Sequence, residues 1–180
     1  MSRWAVVLAA LLTVPLAGTP GDAQANATED EGTALDDFSG TYRYAGGASQ
    51  RRAIEQEVDD ATEDLNVMLR PIARRKINAS VAPASSLRIR VDGDRLAVTR
   101  AQGPDFEGTA NRGTFDVDGK YTGRFKWRND TLTVLITGGD QKTTIRYALD
   151  DAQERIVIRT TIEHDMLPRP VRVKSTYRRD

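Results

Sequence analysis

His164 is the only histidine in the chain, and it stands between two acids in Glu163-His164-Asp165. An imidazole flanked by carboxylates has the makings of a general base or a metal ligand. No second histidine can complete a metal set, and the triplet falls where a strand pattern gives way to a Pro-rich stretch, so a solvated loop residue is expected. Asp116-Val117-Asp118-Gly119 opens like a calcium loop, yet the later ligands and the closing Glu are missing, which leaves a hairpin turn. The acids Asp59, Asp60, Glu63 and Asp64 fall on the polar side of a helical pattern, where solvation is the ordinary role. Neither Gly-rich stretch, at 45–47 or 138–139, is followed by the Gly-Lys-Ser/Thr of a phosphate loop. The chain has no cysteine, which excludes thiol catalysis and Cys-ligated zinc. No catalytic residues, no metal site and no cofactor are therefore expected.

The first residues speak to location. Arg3 precedes an almost unbroken apolar run from Trp4 to Leu16, and Ala23-Gln24-Ala25 is a small-x-small cleavage site. This is the pattern of a secretory signal peptide over residues 1–25, and the run falls short of the roughly 20 apolar residues a bilayer span needs. An exported protein, periplasmic or secreted, with no transmembrane segment is expected. Residues 26–36 are polar and acidic and read as a flexible lead-in. The remainder, 37–180, suits one domain. Basic and acidic residues balance at 26 each, which argues against a dedicated nucleic-acid binder.

Two periodicities divide that domain. Phe38, Gly40, Tyr42 and Tyr44 alternate with polar residues, as in a half-buried strand. Ile54, Val58, Ala61, Leu65, Met68 and Ile72 then recur at helical spacing and form one apolar stripe. Pro71 must kink this helix or begin a second one, so the insertion at 50–78 is read as two pieces, 50–69 and 71–78, over one surface. From Leu87 onward short alternating segments are separated by turn signals such as Asp92-Gly93, Asp118-Gly119 and Asn129-Asp130. Residues 101–112 read as a loop. The expected fold is mainly β: an antiparallel up-and-down meander of about nine strands, barrel or half-barrel, capped by the helical segment. Basic outward positions, among them Arg124, Lys126, Arg128, Arg172, Lys174 and Arg178, read as a solvated wall.

The order of strand, helical segment and meander, opening on Phe38-Ser39-Gly40-Thr41-Tyr42, resembles the lipocalin and fatty-acid-binding (calycin) barrels. Tyr42 stands where the lipocalin signature has Trp. The chain is also similar to small exported bacterial proteins. The resemblance implies a barrel whose interior takes a ligand, held in the fatty-acid-binding branch by an Arg-x-Tyr motif on the last strand. Here that motif reads Ser175-Thr176-Tyr177. A non-catalytic binding protein for a small apolar or amphipathic, lipid-like ligand is expected. Tyr42, Met68, Phe125, Trp127, Tyr147, Ile158 and Tyr177 are the expected lining. The alternative is an envelope protein with a packed, ligand-free barrel that contacts a protein partner.

Overall fold

The computed structural model describes residues 34–180, so the leader and the lead-in as far as residue 33 lie outside the described residues. A 3-10 helix, Leu35–Phe38, comes first, followed by β1 (Gly40–Tyr44), α1 (Gly47–Thr62) and α2 (Arg70–Val81). The meander follows as β2 (Ser86–Asp92), β3 (Arg95–Arg100), β4 (Phe106–Thr109), β5 (Phe115–Val117) and β6 (Tyr121–Arg128). It continues as β7 (Thr131–Gly138), β8 (Gln141–Leu149), β9 (Arg155–His164) and β10 (Val171–Arg179). Phe38 is wholly buried and Leu35 packs on the core, so the lead-in is ordered from its last residues rather than flexible to 36.

All ten strands join one antiparallel sheet in the order β4-β3-β2-β1-β10-β9-β8-β7-β6-β5. The β1–β10 pairing joins the first and last strands of the described residues, with Tyr44 opposite Tyr177. Tight turns set the register. Asn129 and Asp130 both take the positive φ of a two-residue hairpin matching the strand twist, and Asp118 and Gly119 take it in the three-residue loop between Val117 and Tyr121. The Asp116 carboxylate accepts the Gly119 N–H at 2.7 Å, so the calcium-loop motif is a turn device.

The tenth strand, β4, falls inside the segment expected to be a loop, because four residues are too short to show a period. No ladder joins β4 to β5. Phe115 fills that seam, with its ring 6.0 Å from Phe106 and 5.0 Å from Phe125. Gly123 makes room for it, since a β-carbon there would stand 2.1 Å from the Phe115 ring. Farther along, the Asn111 N–H donates to the Phe125 carbonyl at 3.0 Å. The barrel is nearly closed, and side chains do what backbone pairing does elsewhere.

The helical insertion is a pair of helices and not one stripe over 50–69 and 71–78. The first helix stops at Thr62, where the Arg70 guanidinium reaches back to the carbonyls of Glu63 and Leu65. Asn66 then turns the chain by accepting the Met68 N–H, and Pro71 sits in the first turn of α2, where it has no amide to waste. Ile54, Val58, Ala61, Ile77 and Val81 pack on Ile162, Val171 and Val173, a cluster distinct from the barrel core. Met68, expected in the stripe, lies in the turn and is 77% exposed, and Ile72 is 47% exposed. No described helix is long and apolar enough to cross a membrane.

Candidate functional site

Inward residues along each strand divide the barrel into a packed end and a hollow end. At the packed end, Phe38 meets Trp127 edge to face at 5.5 Å. The Tyr42 hydroxyl donates to the Phe38 carbonyl at 2.8 Å and accepts from Arg179 at 2.8 Å. Arg179 also donates to the Asp37 carbonyl. The 3-10 helix is thus bolted into the barrel mouth. Burial pushes the Tyr42 phenol up, against the opposing pull of Arg179. Tyr42, Phe125 and Trp127, three of the expected lining residues, are consumed in this packing and in the Phe115 seam, away from the cavity.

Beneath the helices the barrel holds a partly open cavity of about 280 Å³. Its roof is the last turn of α2 and the segment after it, built from small residues including Ala79, Ser80, Ala82 and Ala84. Its walls are the inward positions of the strands: Leu87, Phe106, Ile136, Ile145, Ile158 and Ile162. Tyr147, Ile158 and Tyr177, from the expected set, all face it. Met68 does not, because α1 ended before it.

Polar groups enter this apolar space from several strands. Thr143, Thr160 and Ser175 stand at inward positions, and the Tyr147 ring is almost wholly buried. Burial pushes the Tyr147 phenol up to about 12, against the pull of the nearby Arg100 charge. Tyr177 is raised for the same first reason and is held back by Ser175 and by Arg100. Arg100 is the residue that sequence reasoning missed. Leu96 and Val98 place it on the inward phase of β3, which is a legible signal once the strand is followed to its last residue. Its Nε and Nη2 donate to the Pro104 carbonyl at 3.2 and 3.1 Å, and its face lies 4.8 Å from the Phe106 ring centre. It has no carboxylate partner among the described residues. A guanidinium so held is a fixed positive charge on the polar side of the cavity.

A second, apolar groove of about 360 Å³ runs between α2 and the rim of β8–β9, past Leu69, Ile72, Met166 and Leu167. Ser80, Tyr121, Gln141 and Ile162 line both spaces, so the groove leads to the cavity wall. His164 stands at this rim, where its Nδ1 accepts the Met166 N–H at 3.1 Å and shapes the loop. Arg146 is exposed on the outer wall and Tyr177 is inside, so they do not converge with His164 into a reactive cleft.

No family model matches the chain, and no curated protein sequence matches it. Solved structures do. The wild-type fluorescent protein UnaG aligns over 82% of this chain and 100% of its own, at 16% identity and a TM-score of 0.50. The REP1-NXSQ fatty acid transporter aligns over 80% and 96%, at 14% identity and 0.51. A secretory abundant heat soluble protein from Ramazzottius varieornatus aligns over 83% and 99%, at 9% identity and 0.50. At these identities the likeness is one of fold: the chain shares with these proteins an antiparallel, nearly closed barrel, and its own helical pair follows the first strand.

Proposed function

We propose that this protein is an exported, non-catalytic carrier or sensor of a small amphipathic molecule, with an apolar tail and a polar, anionic head. One observation carries the reading: a cavity beneath the helices joins apolar strand residues such as Leu87, Ile145 and Ile158 to a polar side where Arg100, a guanidinium without a carboxylate partner among the described residues, stands with the phenols of Tyr147 and Tyr177. Arg100 is half-buried, and an anionic head is the natural partner for a guanidinium that no carboxylate holds. The chamber, at about 280 Å³, stands at the lower edge of the ~300–1,000 Å³ usual for small-molecule sites, which selects a short ligand. The groove beside α2 offers an apolar approach to it. Export rests on the leader pattern of residues 1–25.

The test is a calorimetric titration with octanoate and decanoate, and with the matching alcohols. Saturable binding of one molecule per chain, tighter for the acids, is expected. Absence of heat with every member of both series, together with no fluorescence gain from an anionic naphthalene sulfonate dye, would reject a binding chamber.

A further inference from the structure

The outer wall carries a second kind of order. Follow one row of paired positions across the sheet: Lys126 lies opposite Thr133, Thr133 opposite Arg146, Arg146 opposite Arg159, and Arg159 opposite Lys174. Every member points outward, and the four basic residues are exposed. None of the four forms an ion pair among the described residues. Like charges directly opposite one another on antiparallel strands are destabilising. Here two such pairs, Arg146 with Arg159 and Arg159 with Lys174, sit side by side. Glu163 is the one acid in the five strands β6–β10, and Lys142 already holds it at 2.8 Å. The whole chain is neutral, so the balancing acids have been placed elsewhere, largely on α1 and in the turns.

We infer that this row is a docking track for a flexible acidic polysaccharide. Arg146, Arg159 and Lys174 stand at successive strand spacings of about 4.8 Å and Lys126 two spacings beyond Arg146, so the row spans roughly 19 Å of wall. It crosses four strand-to-strand steps of a ten-stranded barrel and therefore curves through a third or more of the circumference. A flat lipid surface cannot touch all four charges at once, and the apolar side chains on the same face, Leu135, Ala148 and Val157, are half-buried in the wall and do not project toward a bilayer. A stiff nucleic-acid duplex has the same geometric difficulty. Single-stranded nucleic acid binds through aromatic platforms that stack its bases, and this wall presents none beside the row. A sugar chain bearing carboxylate or sulfate groups needs only cations in register and hydroxyl partners, which Thr133, Thr144 and Thr161 supply between them.

The test uses dextran sulfate as probe, with neutral dextran, oligothymidine and phosphatidylglycerol vesicles in parallel, at several salt concentrations. Dextran sulfate binding that weakens steeply with salt is expected, with no binding of neutral dextran. The triple variant Arg146→Gln, Arg159→Gln, Lys174→Gln should bind at least about tenfold more weakly. Its slope of log affinity against log salt should flatten by about two, because each cation lost removes roughly 0.7 with a flexible polyanion. Its melting temperature should stay level or rise, since like-charge repulsion is relieved. A second triple variant, Arg88→Gln, Arg90→Gln, Arg95→Gln, makes the same change in net charge on the opposite wall and should retain affinity within about twofold. Equal losses in both variants would overturn the track in favour of diffuse charge. No binding of dextran sulfate, or tighter binding of oligothymidine or vesicles at equal charge concentration, would overturn the polysaccharide assignment.

Discussion

Arg100 offers the sharpest perturbation of the chamber. Arg100→Met keeps the aliphatic stem and removes the charge. Nε and one N–H of Nη2 are already committed to the Pro104 carbonyl, at 3.2 and 3.1 Å, which leaves the N–H groups of Nη1 and the second of Nη2 to meet a ligand head. One charge-assisted hydrogen bond is worth about 1.5–3 kcal/mol. At 1.4 kcal/mol per decade, the substitution should weaken binding of an alkanoate by roughly ten- to a hundredfold. The same change also frees the 101–105 loop and removes the contact with the Phe106 ring, which would weaken every ligand alike. The ratio of decanoate to decanol affinity separates the two effects. Measured calorimetrically at pH 7.5, where the acid is ionised, that ratio should collapse in Arg100→Met and largely return in Arg100→Lys. A ratio unchanged by Arg100→Met would refute the assignment of Arg100 to the ligand head, even if both ligands bind.

Three further substitutions test the surrounding architecture. Tyr147 is raised to about 12 by burial, so it stays neutral in the folded chain while it would ionise near 10 in the unfolded one. Its contribution is complete below pH 10 and is lost as pH rises toward 12. With a shift of two units worth about 3 kcal/mol, Tyr147→Phe should flatten the fall in denaturation midpoint across that window, and an unaltered alkaline profile would contradict the burial. Phe38→Ala removes a wholly buried ring from the barrel mouth and should cost about 3–5 kcal/mol in urea unfolding; a loss below 1 kcal/mol would mean the 3-10 helix is not bolted in place. Met68→Asp, at an exposed turn position, should leave the melting temperature where it was, within about 0.5 kcal/mol, and a large loss would show that the helix stripe does continue through this residue.

The barrel was legible because tight turns and alternating segments carry their own geometry: Asp118-Gly119 and Asn129-Asp130 mark hairpins in any context. The division between packed and hollow ends was not. Tyr42, Phe125 and Trp127 have the same inward phase as Tyr147 and Tyr177, and periodicity reports a face, not a height along the barrel axis. Only the pairing of Phe38 with Trp127 and the seam filled by Phe115 show which aromatics are spent on packing. The helix boundary failed for a related reason. Leu65 and Met68 fit the stripe by spacing, but the helix ends first, at Thr62, with Arg70 reaching back seven residues to the Glu63 carbonyl. Arg100 was readable in principle, since it continues the phase of Leu96 and Val98, but the glycine and proline that follow hide the strand end. The basic row was visible only as scattered alternation, because register, and not sequence, sets Arg146 beside Arg159.

Native mass spectrometry of the full-length chain, expressed with its leader and purified without detergent, tests the central claim most directly. A reproducible mass excess that solvent extraction releases as one acidic amphiphile, and that Arg100→Met no longer retains, is the predicted result. A bare protein mass, unchanged after incubation with decanoate or decanol, would contradict a ligand-holding chamber.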